Sequence, residues 1–284
     1  MNGHRGADRG ADRGANDGAE GARGESVDGD EVAAALARVH EDIARFATRH
    51  GREPGSVELL AVGKTKPVAA IAAAIAAGQR AFGENYVDEA LGKIEALGHR
   101  VVADGAPAAE HPGAADTATE VPARDEPLEW HFIGTIQSRR CAAIAEHFDW
   151  AHGVDREKVA RRLAERRAEH ASPLNVCLQL NVDGEVSKSG VEPSALDALA
   201  DRCAELPMLR LRGLMAIPAP RTDFDAQRRA FAEVRERFEA LRERGHEAMD
   251  TLSMGMSGDL EAAIAEGATL VRVGTALFGA RPRS

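Results

Sequence analysis

The sequence has no run approaching eighteen uninterrupted apolar residues, and its first thirty residues contain no apolar core. Neither a membrane-spanning helix nor a secretory signal is expected on that ground. Cysteine is scarce: Cys141, Cys177 and Cys203 are odd in number and lack metal-ligand spacing. They point to a reducing compartment, so the expected location is the cytoplasm, and to ordinary packing with no metal site. There is no excess of basic charge either, since 36 Lys and Arg face 46 Asp and Glu for a formal net charge of −10. Much of that acidity sits in two polar segments. Residues 1–30 carry seven acids against four arginines, and residues 103–127 carry six against one, leaving about −2 for the rest. Nothing resembles the basic stripe that nucleic acid requires.

The apolar content is ample, with 284 residues that are 44% hydrophobic. It suffices for one barrel of about 250 residues or for two smaller domains. Residues 1–29 include a tandem repeat, Gly6-Ala7-Asp8-Arg9 then Gly10-Ala11-Asp12-Arg13, with too few large apolar side chains to offset ordering entropy. That tail is expected to be disordered. Val32, Leu36, Val39, Ile43 and Phe46 then recur by four and three. This is an amphipathic helix, ending at Gly51 and placed to cap the bottom of a barrel. Short apolar runs follow at 59–62, 81–84, 130–134, 150–154, 176–182, 211–217, 251–254 and 270–273. Helical patterns alternate with them, the clearest over 224–244, where Phe231, Val234, Phe238 and Leu241 share a stripe. Eight alternations predict parallel pairing and a single (β/α)8 TIM-type barrel over 30–284, with an extra N-terminal helix. A doubly wound open sheet is the alternative. Residues 103–127, rich in Ala, Pro, Gly, Asp and Glu, read as a flexible insertion on the helix-to-strand side.

The chemistry centres on Leu59-Leu60-Ala61-Val62-Gly63-Lys64-Thr65-Lys66-Pro67, where an apolar run ends abruptly in a lysine and Pro67 suits the start of a helix. Most lysines after strands are solvated loop residues. One at a barrel mouth loses solvation, and its neutral amine can condense with an aldehyde as a Schiff base. In a closed barrel the carboxyl ends of the strands share one face, which gathers Lys64, Asn85, Gly134, Asn181, Met215, Ser257, Gly258, Gly274 and Thr275. Ser257-Gly258-Asp259 opens a helix and Gly274-Thr275 offers a close backbone with a hydroxyl. Together they fit the phosphate site that recurs after strands seven and eight. Separately, Ser257 could be a plain N-cap and the Gly-Thr pair a turn. An amine on strand one and a phosphate cradle on strands seven and eight suit a phosphorylated aldehyde, and pyridoxal phosphate fits. Arg272 shares the face of Gly274 and could donate to a ring nitrogen, keeping it unprotonated, or could be a rim ion pair.

Five segments then carry a resemblance. They are Ala61-Val62-Gly63-Lys64-Thr65-Lys66-Pro67, Phe82-Gly83-Glu84-Asn85-Tyr86, Trp130-His131-Phe132-Ile133-Gly134, Ser253-Met254-Gly255-Met256-Ser257 and Arg272-Val273-Gly274-Thr275. In order, from about Val57 to Gly279, they resemble the pyridoxal phosphate homeostasis protein family, relatives of the alanine racemase N-terminal barrel. The resemblance implies a fold-type III barrel that binds pyridoxal phosphate, with no firmly established reaction. It implies Lys64 as the Schiff-base lysine, Ser257, Gly274 and Thr275 as phosphate contacts, and Arg272 as the ring-nitrogen partner. Asn85 joins the expected cofactor-binding set. The family usually has serine where this chain has Gly63.

A two-base racemase needs a second proton carrier, which the resembled enzymes take as a tyrosine from an added β domain. Here Tyr86 is the only tyrosine and it follows strand two. The favoured reading is therefore a binding protein in intracellular vitamin B6 homeostasis or delivery, with PLP-dependent apo-enzymes as partners and without robust turnover. An amino-acid racemase or lyase is the alternative. His131 reads as a core histidine, and Lys66 as a helix-start lysine or a charge that lowers the basicity of Lys64. Lys188, in a polar loop after strand five, is a candidate to receive or hand on the aldehyde. Glu84 and Asp259 are possible acids that no spacing assigns.

Overall fold

The computed structural model describes residues 28–98, 127–184 and 189–280. Nearly all of the expected disordered tail and flexible insertion, together with Lys188, lies outside the described residues. The first helix, α1 (Gly29–Arg49), starts one residue before the expected point because Asp28 caps it, accepting from the amides of Asp30 and Glu31. Strands and helices then alternate: β1 (Glu58–Val62), α2 (Val68–Ala76), β2 (Ala81–Glu84), α3 (Val87–Leu97), β3 (Glu129–Phe132), α4 (Cys141–His147), β4 (Trp150–Val154) and α5 (Glu157–Arg166). There follow β5 (Leu174–Leu180), α6 (Leu196–Ala204), β6 (Leu209–Ala216), α7 (Phe224–Glu243), β7 (Thr251–Ser253), α8 (Leu260–Ala265), β8 (Leu270–Val273) and α9 (Thr275–Phe278).

The strands form a closed barrel in the order β1 to β8, every neighbour parallel, with β8 returning to β1 through the register Leu60 with Arg272. Closure removes the open-sheet alternative. It also corrects the expected place of α1, which packs against α2, α8 and α9 in the outer ring instead of beneath the barrel. The physical reason is the brevity of α9: four residues cannot cover the seam between β8 and β1. The stripe of Val32, Leu36, Val39 and Ile43 on α1 buries itself in that ring instead.

The period of two along each strand sorts side chains into two layers. Ala61, Phe82, Trp130, Phe132, Val271 and Val273 belong to the main apolar layer shared with the helices. Leu60, Val62, Ile133 and Leu270 form a separate small cluster inside the barrel. By the same alternation, Gly63 faces the helices and Lys64 the barrel mouth.

Candidate functional site

Lys64, Asn85, Ser257, Arg272, Gly274 and Thr275, the six expected cofactor residues, line one cavity of about 310 Å³ at the carboxyl mouth of the barrel. Val62, Ile133, Ile217 and Met256 supply its apolar wall. Larger cavities lie beside α1 (about 930 Å³) and at the barrel floor (about 580 Å³), but neither is lined by Lys64, Ser257 or Arg272. The pocket is graded by depth: Arg272 is buried, Lys64, Asn85 and Gly274 are half-buried, and Ser257 and Thr275 are exposed at the rim.

At the bottom, Arg272 is held by three hydrogen bonds. Nη1 donates to the carbonyl and hydroxyl of Ser253 at 2.6 and 2.8 Å, and Nη2 donates to the carbonyl of Ala216 at 2.9 Å. It is thus a fixed interior donor and not the rim ion pair of the alternative reading. A guanidinium has five N–H donors, so it keeps donors to spare for a ligand. Burial brings its pKa down to about 10, with Asp259 opposing, and it remains a cation at neutral pH. The Asn85 amide oxygen is buried and has no hydrogen-bond partner among the described residues.

The rim depends on close backbone approach. A Cβ on Gly274 would lie 3.0 Å from the Val62 carbonyl oxygen and 3.3 Å from the Val62 Cβ, so a side chain there would press β8 back from the end of β1. Ser257-Gly258-Asp259 opens α8 as expected, but Ser257 itself is not at the cap. The cap of α8 is Asp259, whose carboxylate also accepts from the Met256 amide at 2.6 Å and closes a turn with Ser257 and Gly258 at its exposed tip.

Around Lys64 the backbone is clamped from both sides. Lys93 on α3 donates to the Gly63 carbonyl at 2.7 Å, and the Glu89 carboxylate accepts from the Thr65 amide at 2.6 Å. Thr65 sits at φ 62°, the only non-glycine residue with positive φ among those described. Lys93 also pairs with Glu84 at 2.7 Å and Glu89 at 2.6 Å, so one buried ammonium ties both carboxylates to the lysine turn. Glu84 faces the helices instead of the pocket, and desolvation raises its carboxyl to about 7 against the pull of Lys93. Its second oxygen has no hydrogen-bond partner among the described residues. The space for this carboxylate comes from Gly63, where a Cβ would lie 2.6 Å from Glu84 Oε1.

Other expectations resolve differently. Lys66 lines the pocket, and its ammonium donates to the carbonyls of Phe278, Gly279 and Ala280 at 2.8 to 3.1 Å, stapling the segment after α9. His131 is the core histidine expected, buried inside the barrel and hydrogen-bonded to His152 at 3.0 Å. Tyr86 stands exposed at the start of α3. Sequence reasoning missed Lys93 and Glu89. Their four-residue spacing was the available signal, but it reads as an ordinary surface pair.

Comparison with known proteins identifies the family. The family model described as alanine racemase, N-terminal domain, matches residues 35–282. A pyridoxal phosphate homeostasis protein of Pseudomonas aeruginosa is 52% identical over 250 residues, covering 88% of this chain and 96% of the relative. That of Escherichia coli K12 is 47% identical over 255 residues, covering 90% and 99%. Among solved structures, PipY of Synechococcus elongatus with PLP bound superposes with a TM-score of 0.69 at 34% identity, covering 87% of this chain and all of the other. The chain therefore belongs to the alanine racemase N-terminal domain family, among its pyridoxal phosphate homeostasis proteins.

Proposed function

We propose that this chain binds pyridoxal 5'-phosphate at the barrel mouth and serves intracellular vitamin B6 homeostasis, holding the cofactor and delivering it to PLP-dependent apo-enzymes in the cytoplasm. The observation that carries the reading is the convergence of an amine, a fixed guanidinium and a glycine-hydroxyl rim on one pocket of about 310 Å³. The residues fit the group. Lys64 supplies the amine, and the clamp of Lys93 and Glu89 fixes the backbone on either side of it. Arg272 offers its remaining N–H donors at the depth where a ring nitrogen would end, and the unpartnered Asn85 oxygen gives an acceptor beside the ring. Ser257, Gly274 and Thr275 hold the phosphate at the exposed rim, where backbone and hydroxyl donors suit an anion. When bound, the cofactor supplies an aldehyde that condenses with the lysine amine.

The relatives named pyridoxal phosphate homeostasis proteins and the PLP-bound PipY structure support this assignment. No helix among the described residues is long and apolar enough to cross a membrane. The test is the absorbance spectrum of the purified full chain with pyridoxal phosphate. A near-visible band, abolished by borohydride and missing in Lys64→Ala, is the expected result. Binding retained in full by Lys64→Ala would overturn the assignment of the amine.

A further inference from the structure

A barrel interior is ordinarily filled by layers of branched apolar side chains. Here a line of buried polar groups crosses it from mouth to floor. Arg272 Nη1 donates to Ser253 Oγ at 2.8 Å, Ser253 Oγ lies 2.9 Å from His152 Nδ1, and His152 Nε2 lies 3.0 Å from His131 Nδ1. His131 Nε2 then meets Glu129 Oε2 at 3.2 Å, while the other Glu129 oxygen accepts from Trp150 Nε1 at 2.7 Å. His131, His152, Ser253 and Arg272 are all buried, whereas the Glu129 side chain is 44% exposed and borders the floor cavity.

Counting donors gives the chain a direction. Arginine only donates, so Ser253 Oγ accepts from it. Burial, reinforced by the positive charge of Arg272, pushes the His152 imidazole well below its ordinary value, so that ring is neutral. Burial would raise the Glu129 carboxyl, but hydrogen bonds from His131 and Trp150 and the charge of Arg212 hold it below the usual range, so it is an anion. With a neutral His131, only one arrangement leaves no lone pair facing the carboxylate. Ser253 donates to His152 Nδ1, His152 Nε2–H donates to His131 Nδ1, and His131 Nε2–H donates to Glu129.

We propose that Ser253, His152 and His131 are positioning residues for Arg272, a directed hydrogen-bond chain that carries the charge state of the barrel floor to the guanidinium beneath the mouth pocket. One proton taken from solvent at the floor and kept on His131 turns its Nδ1 into a donor. His152 must then carry its hydrogen on Nδ1, and Ser253 Oγ accepts from both His152 and Arg272, freeing its own hydroxyl proton. Apart from that proton, no group gains or loses charge. The groups facing His131 are Glu129 on its own strand, Asp149 and His152 from before and along β4, and Arg212 of β6 through the Trp150 ring, 4.7 Å away. Arg272 of β8 stands behind Ser253.

The chain itself is tested without cofactor, by nitrogen-15 NMR of histidine-labelled full-length protein. Above neutral pH both rings should carry their hydrogen on Nε2. On acidification, a hydrogen on His131 Nδ1 and the shift of His152 to Nδ1–H should appear together, because each requires the other. Ser253→Ala should leave the barrel folded and His152 as Nε2–H above neutral pH, because His131 Nδ1 still needs that donor, while it cuts the link to Arg272. A His152 tautomer indifferent to the state of His131 overturns the proposal. Its effect on the pocket rests on the pyridoxal phosphate reading above, and is read from the absorbance of bound cofactor against pH. Glu129→Gln, outside the pocket, should move that transition by about half a unit. Overlaid wild-type and variant curves defeat the coupling, whereas a missing lysine-dependent band defeats the cofactor reading and leaves the NMR result standing.

Discussion

Outward from the strands, Phe82, Trp130 and Phe132 pack with Ile144, Leu163 and Phe231 in one continuous apolar layer. Inward, β3, β4, β7 and β8 present His131, His152, Ser253 and Arg272, with only small apolar clusters on either side. The outer layer is what a closed sheet needs to exist, since burial of large side chains drives folding without directional demands. The inner one is costly to bury and is tolerable only because each member has a hydrogen-bond partner. Stability and site geometry are thus assigned to opposite faces of the same strands.

Lys93 is where the two faces meet, and its loss should be the largest single effect. Lys93→Ala leaves Glu84 buried without its partner, for about 3–5 kcal/mol of stability. Urea unfolding should report that cost. Release of the lysine turn should also weaken pyridoxal phosphate binding about tenfold, as measured by absorbance titration. An unchanged affinity would confine the clamp to a structural role.

Phe82→Ala, wholly in the outer layer and fully buried, should cost a comparable 3 or so kcal/mol from a range of about 3–5. In the folded protein the lysine-dependent absorbance should be unaltered, and a shifted band would dissolve the division between faces.

Glu84 sharpens the comparison through pH. Its folded carboxyl is raised to about 7 from an ordinary 4.5, so between those values the folded chain holds a proton that the unfolded chain releases. The associated stabilisation is complete below 4.5 and is lost as pH rises through about 7. Denaturation at pH 5 and pH 8 should show wild type losing about 2–3 kcal/mol more than Glu84→Gln across that interval. Equal losses would mean that Glu84 is not the group that titrates.

The smallest effect expected is that of Gly63→Ser. Its Cβ would meet Glu84 Oε1 at 2.6 Å and Ile71 Cδ1 at 2.7 Å, both ends of side chains that can give way in part. A cost of about 1 kcal/mol in thermal or urea unfolding is expected. A gain in stability would mean that the carboxylate finds a better partner in the added hydroxyl.

Much of this architecture was legible. The runs expected at 81–84, 150–154 and 270–273 coincide with β2, β4 and β8, and the long stripe over 224–244 is α7 to within a residue. Strands β5 and β6 begin two residues earlier than expected, because Leu174 and Leu209 are buried just ahead of the apolar runs. The six pocket residues were legible for a topological reason: in a parallel barrel, whatever follows a strand must lie on the same face. Lys93 and Glu89 were not, since a helical Glu-x-x-x-Lys pair looks solvated until a neighbouring strand covers it. The chain from Arg272 to Glu129 was equally hidden, because its members are 19, 101, 21 and two positions apart.

By itself, then, the sequence determined the alternation of strand and helix, the layer each side chain enters, and the face on which Lys64, Ser257 and Thr275 meet, because those follow from local periodicity and chain direction. Only the tertiary structure decided that α1 seals the β8–β1 seam, that Gly63 makes room for Glu84, and that two histidines join a mouth arginine to a floor carboxylate. Those outcomes depend on distances across the closed barrel, which no local pattern encodes.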